Sequence, residues 1–131
     1  MRVRRDVLEA MVTHARAEAP FECCGLLLGR EDVIDECRPA VNLRRSPITY
    51  EVDPQDHFAA IRAARQSGRA VTGAYHSHPR SAAVPSPTDV AEAFDTDLLY
   101  VIVSLAGVEP DVRGYRIFDG NFNEVSLVPQ A

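Results

Sequence analysis

The stretch VTGAYHSHP at residues 71–79, followed after a six-residue spacer by SPTD at residues 86–89, decides the fold. Residues 71–75 predict a buried strand that runs directly into His76 and His78. Side chains alternate along an extended chain, so histidines two positions apart point to the same face. Serine caps helices and proline suits their first position, so SPTD predicts a helix start that carries Asp89. The stretch therefore predicts a strand, a loop and a helix that bring two imidazoles and one carboxylate together.

Two imidazoles and one carboxylate are a typical ligand set for catalytic zinc. Neutral imidazole is a preferred zinc ligand, and a carboxylate oxygen is an acceptable third. Three protein ligands leave the fourth position open, as catalysis requires. We therefore predict that His76, His78 and Asp89 hold a metal. The alternative is that Asp89 only favours the positive end of its helix, in which case it faces solvent.

Glu22 is the candidate general base. It precedes the apolar run CCGLLLG at residues 23–29, so it stands at the start of a predicted strand. By itself, a glutamate in this position is typical of solvated surface. A hydrolytic zinc needs a nearby base for its water, however, and the metal hypothesis gives Glu22 that role.

The remaining elements predict an α/β (α+β) fold, one mixed sheet flanked by helices, in a single domain over residues 1–131. The first helix ends before Pro20, because the residue ahead of a proline avoids helical geometry. The second helix begins with Asp53 as its cap and places Phe58 and Ile61 on one face. The other predicted elements are strands at residues 23–29, 33–41 (near an edge), 98–105 (central), 112–119 and 124–128, a short β segment at 48–52, and a helix at 87–94.

The composition is that of an ordinary globular protein of 131 residues, with 46% hydrophobic and 25% charged residues. The net charge of −5 argues against binding to nucleic acid, which needs clustered Lys and Arg. No apolar run reaches the ~18 residues of a membrane span, and the charged N-terminus is not a signal peptide. Three cysteines, two of them adjacent, are typical of reduced thiols in a cytoplasmic protein.

Other candidate residues are weaker. His14 and His57 lie on the first two predicted helices and are interpreted as surface residues. Cys23 and Cys24 point to opposite faces of a strand, so at most one of them could join a metal site. Burial as a small hydrophobe is the default for cysteine. No Gly-x-Ser-x-Gly elbow supports a serine nucleophile.

The motif residues together resemble the JAMM (MPN+) family of metallopeptidases. Its motif is a glutamate on an early strand, then His-Ser/Thr-His-Pro, a short spacer and Ser-x-x-Asp. Glu22, residues 76–79 and residues 86–89 match it at every ligand position. The resemblance covers nearly the whole chain. The segments similar to the bacterial branch of CysO-cysteine peptidases are PFECCGLLLG at residues 20–29, residues 50–54 and residues 111–120.

This resemblance implies a mixed sheet related to the cytidine deaminase arrangement, with one zinc per chain. Glu22 would take a proton from the water at the open zinc position and pass it to the leaving amine, while Ser86 would hydrogen-bond the oxyanion. The implied substrate bond follows the C-terminal Gly-Gly of a ubiquitin-like sulfur-carrier protein, and cysteine is the expected released group. A homodimer is left open.

Several alternatives compete with this interpretation. A non-catalytic MPN scaffold would contain no stoichiometric zinc. A JAMM isopeptidase would act on ubiquitin-like conjugates. A cupin places a glutamate shortly after His-x-His, where this chain has RSAA at residues 80–83. A zinc deaminase pairs His-x-Glu with a later Cys-x-x-Cys, and neither occurs in the sequence.

Overall fold

In the computed structural model, which describes residues 1–93 and 95–131, eight strands form one mixed sheet that three helices flank. This architecture confirms the fold class that the sequence predicts. The elements are, in chain order, β1 (Arg2–Arg4), α1 (Arg5–Glu18), β2 (Cys24–Arg30), β3 (Val33–Ala40), α2 (Pro54–Gln66), β4 (Ala70–His78), α3 (Pro87–Glu92), β5 (Leu99–Ser104), β6 (Asp111–Phe118), β7 (Asn121–Val125) and β8 (Val128–Gln130).

Helices cover the centre of the sheet on both faces. The strand order is β7-β6-β5-β4-β2-β3-β1-β8, with β4 antiparallel to β2 and parallel to β5. Leu27 packs into the core cluster under α1, whereas Leu26 and Leu28 pack into the cluster under α2. Burial on both faces explains why β2 is continuously apolar instead of alternating.

Two three-residue strands that the sequence did not reveal close one side of the sheet. β1 lies between β3 and β8, and both of its pairings are parallel. The prediction that residues 33–41 lie nearer an edge than the preceding strand is confirmed, since β3 lies outside β2 in the strand order and β1 pairs only with Val33 and Ile34 of β3. The single final strand predicted at residues 124–128 is two strands in the structure. β7 ends at Val125, and β8 begins at Val128.

Two other predicted elements are shorter in the structure. The segment at residues 48–52 forms no strand. It pairs with the rest of the chain through one isolated antiparallel bridge, between Val52 and Asn42. The helix predicted at residues 87–94 is present as α3, but Phe94 lies outside the described residues.

The second helix packs through its smallest side chains. Ala60 and Ala64 are buried against the sheet, whereas Phe58 is 64% exposed. Asp53 caps α2 as predicted, because its Oδ1 accepts a hydrogen bond from Gln55 N at 2.9 Å. Across the described residues 1–93 and 95–131, no helix has the length and apolar character needed to cross a bilayer.

Gly25→Ala is expected to destabilise the protein by about 3 kcal/mol, because it overpacks a rigid core position. A Cβ added at Gly25 would lie 2.5 Å from Tyr75 Cζ and 2.6 Å from the backbone oxygen of Arg38. Gly107→Ala is the control, since the nearest atom to its added Cβ is 3.6 Å away. Chemical denaturation measures both variants, and equal free energies of unfolding would contradict this packing.

Candidate active site

Two buried histidines and one buried aspartate converge at the carboxyl-terminal end of β4. The Nε2 atoms of His76 and His78 lie 3.2 Å apart. Asp89 reaches them from α3, and its Oδ2 lies 3.1 Å from His76 Nε2 and 3.0 Å from His78 Nε2. The structure thus brings together the three side chains that the sequence predicts as metal ligands.

Asp89 faces inward and serves its helix at the same time. Ser86 is the N-cap of α3, and its Oγ accepts a hydrogen bond from Asp89 N at 3.0 Å. Asp89 Oδ2 in turn accepts from Ser86 N at 2.9 Å. Burial alone would raise the pKa of Asp89, but its close contacts with the imidazoles of His76 and His78 outweigh burial and hold that pKa well below its usual range. The capping role and the ligand position are therefore compatible.

The donor set needs a positive charge at its centre. His78 Nδ1 lies 2.8 Å from the backbone oxygen of Ala82, which only accepts, so this nitrogen carries a hydrogen. In a neutral ring, His78 Nε2 then presents a lone pair to Asp89 Oδ2, which is itself an acceptor. Such atoms repel one another unless an added proton or a cation lies between them. A metal bound to both imidazoles and the carboxylate removes the conflict, so the three residues fit a divalent cation.

Glu22 is buried beside this group and is not the solvated residue that its position alone suggests. It is 4% exposed, and its Oε1 has no hydrogen-bond partner among the described residues. Burial raises the pKa of Glu22 to about 8, while the charge of His78 lowers it and that of Asp89 raises it. A carboxyl group with a pKa near neutrality can both accept and release a proton at physiological pH.

Hydrogen bonds fix the backbone on both sides of Glu22. Its N–H donates to Ser46 O at 2.8 Å, and Asn42 Nδ2 donates to Glu22 O at 3.1 Å. The next residue, Cys23, donates its N–H to Ser77 Oγ at 2.8 Å and accepts from Ser77 N at 3.1 Å. Because Ser77 stands between the two histidines, these bonds tie the segment of Glu22 to the strand of the metal group.

Tyr50 is a site residue to which the sequence assigned no role. Its ring stacks on the imidazole of His76, with ring centroids 4.3 Å apart and an angle of 19° between the planes. A largely apolar cavity of about 560 Å³ opens beside Tyr50. The ion pair of Arg44 with Glu92, at an N–O distance of 2.8 Å, borders this cavity. Nothing in the pattern of residues 48–52 indicates which side chain the tyrosine contacts.

The weaker candidates stay outside the metal group. His14 is not the surface residue that was predicted, because its side chain is 15% exposed and its Nδ1 lies 2.7 Å from the hydroxyl of buried Tyr75. His57 is partly exposed on α2. Burial raises the pKa of the Cys23 thiol to about 11 and that of Cys24 to about 12, so both are neutral thiols.

Comparison with known proteins identifies the family. Residues 4–118 match the family described as prokaryotic homologs of the JAB domain. The chain belongs to this branch of the JAMM/MPN family. This JAB-domain protein is 38% identical to the CysO-cysteine peptidase of Mycobacterium tuberculosis over 98% of its own chain and 91% of that protein. It is also 38% identical to the probable TtuB-protein conjugate cleaving protease of Thermus thermophilus, over 96% of its own chain and 80% of that protein.

Solved structures share the fold of this JAB-domain protein. A Desulfitobacterium hafniense protein determined in solution superposes with a TM-score of 0.91 at 34% identity, over 98% of this chain and 92% of that chain. A structure described as a JAMM metalloprotease-like zinc site in the proteasome and signalosome superposes with a TM-score of 0.63 at 25% identity, over 100% and 98% of the two chains. The group of His76, His78 and Asp89 fits one zinc ion, and the chain is a metallopeptidase.

Removing the carboxylate of Glu22 is expected to stabilise the metal-free protein at alkaline pH. Its pKa is about 8 in the folded chain against an ordinary 4.5, so ionising it costs folding free energy that grows as pH rises through this interval. The free energy of unfolding of metal-free Glu22→Gln should exceed that of the wild type by on the order of 3 kcal/mol at pH 8. Near pH 4 the two free energies should be equal. Denaturant unfolding of chelator-treated protein measures this difference, and parallel pH profiles for the two proteins would contradict the burial of a charged Glu22.

Proposed function

We propose that this enzyme hydrolyses the bond that follows the C-terminal Gly-Gly of a ubiquitin-like sulfur-carrier protein, and that cysteine is its preferred leaving group. The buried group of His76, His78 and Asp89 beside Glu22 carries the hydrolytic part of this proposal. The substrate is supported by the Mycobacterium tuberculosis relative, a CysO-cysteine peptidase that aligns with 98% of this chain.

In this proposal, Glu22 moves the protons. A bound zinc would supply a Lewis acid that lowers the pKa of a coordinated water to about 7. Glu22 takes a proton from the attacking water and gives it to the leaving amine. Its raised pKa suits both transfers, because an acid–base group works best when its pKa lies near the working pH. Burial keeps bulk water from competing for these protons.

Ser86 is proposed to stabilise the oxyanion. The Oγ of Ser86 accepts a hydrogen bond from the Asp89 amide at 3.0 Å. This bond orients the hydroxyl and leaves the hydroxyl hydrogen free to donate. Ser86 N is occupied, because it donates to Asp89 Oδ2. The side-chain hydroxyl is therefore the group of Ser86 that can meet a developing negative charge, and a fixed donor of this kind is worth ~10²-fold or more in rate.

The cavity beside Tyr50 is the proposed site of the extended carrier tail. It adjoins the imidazole of His76 through the stacked Tyr50 ring, so a chain lying in it would present its end to the metal group. Its apolar walls exclude water from the tail, and the charged rim of Arg44 and Glu92 offers hydrogen bonds to a backbone.

A second candidate function is cleavage of an isopeptide bond between a ubiquitin-like protein and a lysine side chain. The Thermus thermophilus relative, a probable TtuB-protein conjugate cleaving protease, supports it at the same 38% identity. The two functions share the metal group and Glu22, and they differ only in the leaving amine.

Competition between two substrates separates these functions. The same carrier is prepared with cysteine joined to its terminal glycine and with a lysine side chain of a second protein at that place. The proposal predicts a higher kcat/KM for the cysteine adduct. A higher kcat/KM for the lysine conjugate would establish the isopeptidase instead. If the zinc-loaded protein cleaved neither substrate, the result would favour a non-catalytic MPN scaffold.

A further inference from the structure

The spacer at residues 80–85 fixes where α3 begins, and its backbone is pinned at three successive carbonyls. Ser104 Oγ donates to Ser81 O at 2.6 Å. His78 Nδ1 donates to Ala82 O at 2.8 Å, and the hydroxyl of Tyr115 donates to Ala83 O. The three donors belong to three neighbouring strands, β5, β4 and β6.

The hydrogen bond from Tyr115 is buried, whereas those from Ser104 and His78 are partly buried, because Ser81 and Ala82 are exposed. Ser104 and Tyr115 are each 3% exposed, and Ala83 is 1% exposed. The ring of Tyr115 shares a core cluster with Ala83, and Val90 of α3 packs against the same cluster. Val90 follows Asp89 directly, so one cluster holds both the spacer and the helix that presents the carboxylate. Because the bond from Tyr115 is buried, water does not replace it when it is lost, and the carbonyl of Ala83 stays unsatisfied.

We propose that Tyr115 and Ser104 are positioning residues of the zinc site, although neither touches a ligand atom. They hold the spacer in the one path that brings Asp89 Oδ2 to the two histidine nitrogens. Without them, the spacer gains conformational freedom that metal binding must remove. The inference goes beyond the proposed substrate and rests on the metal group alone.

The effect is expected in the affinity for zinc. Groups that orient metal ligands from outside the coordination sphere typically change metal affinity by ~10–100-fold when they are removed. Tyr115→Phe deletes one hydroxyl and keeps the buried ring, so we expect its dissociation constant for zinc to rise by ~10-fold. Ser104→Ala is expected to act in the same direction, while Ser104→Thr keeps the hydroxyl and restores affinity.

Tyr100→Phe is the matched control. Tyr100 belongs to the same core cluster, and its hydroxyl also donates to a backbone oxygen, that of Asp95 at 3.3 Å. This hydrogen bond lies outside the spacer. Both Tyr100→Phe and Tyr115→Phe should therefore lose some stability, whereas only Tyr115→Phe should weaken zinc binding.

The test measures zinc affinity by competition with a chromophoric chelator, together with denaturant unfolding of each metal-free variant. Weaker zinc binding in Tyr115→Phe and Ser104→Ala, with Tyr100→Phe and Ser104→Thr close to the wild type, supports the proposal. Wild-type affinity in both Tyr115→Phe and Ser104→Ala, or an equal loss in Tyr100→Phe, overturns it. Ser104→Ala decides the matter if Tyr115→Phe does not fold. No substrate enters this test, so its outcome is independent of the proposed function.

Discussion

Glu22→Gln is expected to lower turnover by ~10²–10⁴-fold, the contribution of a positioned acid–base group, while zinc content stays at the wild-type level. Glutamine has nearly the same shape as glutamate but cannot accept the proton of the attacking water. Glu22 is also not one of the three converging ligands, so the metal should remain bound. Steady-state kinetics on a Gly-Gly-linked substrate and elemental analysis of the same preparation measure the two quantities.

Glu18→Gln is the control for this variant. Glu18 lies at the end of α1 with a side chain that is 53% exposed, so the same change there should leave turnover unchanged. Wild-type turnover in Glu22→Gln would show that another group moves the proton. Loss of zinc together with turnover would show that Glu22 helps to hold the metal.

Asp89→Asn is expected to weaken zinc binding by more than ~100-fold. This loss exceeds the one expected when a residue that only orients a metal ligand is removed, because Asp89 is itself a ligand. The amide removes the negative charge that faces both imidazoles, but its oxygen can still accept the hydrogen bond from Ser86 N. The start of α3 should therefore persist, and the loss should be specific to the metal. Chelator competition measures the affinity, and turnover should fall to background at ordinary zinc concentrations.

Asp53→Asn is the matched control for Asp89→Asn. Asp53 caps α2 through a hydrogen bond from Gln55 N, and asparagine is an equally good cap. This variant should bind zinc like the wild type. Asp89→Asn with wild-type zinc affinity would mean that the carboxylate serves only as a cap, which is the alternative interpretation of SPTD.

The three metal ligands could be predicted from the sequence because their placement depends on local geometry. Alternation along a strand puts His76 and His78 on one face, and the Ser86-Pro87 start puts Asp89 on the first turn of a helix. The match to the JAMM motif added Glu22, which its own surroundings in the sequence would have placed in solvent. The segment around Asn42 and Ser46 holds the backbone of Glu22 by hydrogen bonds, and Asn42 is 20 residues away in the sequence, so no local pattern reveals this contact.

The remaining parts of the site depend on contacts between distant residues, and local patterns carry little information about them. Tyr50 meets His76, Ser77 meets Cys23, and Tyr115 reaches the spacer from β6. The outer strands β1 and β8 escaped prediction for a related reason. Each has three residues, too few for alternation to be visible, and their parallel pairing joins the two ends of the chain.

The zinc content of the wild type against His78→Ala, measured by elemental analysis after purification without added metal, tests the central claim most directly. We predict one zinc per wild-type chain and none in His78→Ala, because that variant loses one of the three converging ligand atoms. Wild-type protein without metal, or equal zinc in both proteins, would contradict a catalytic zinc held by His76, His78 and Asp89.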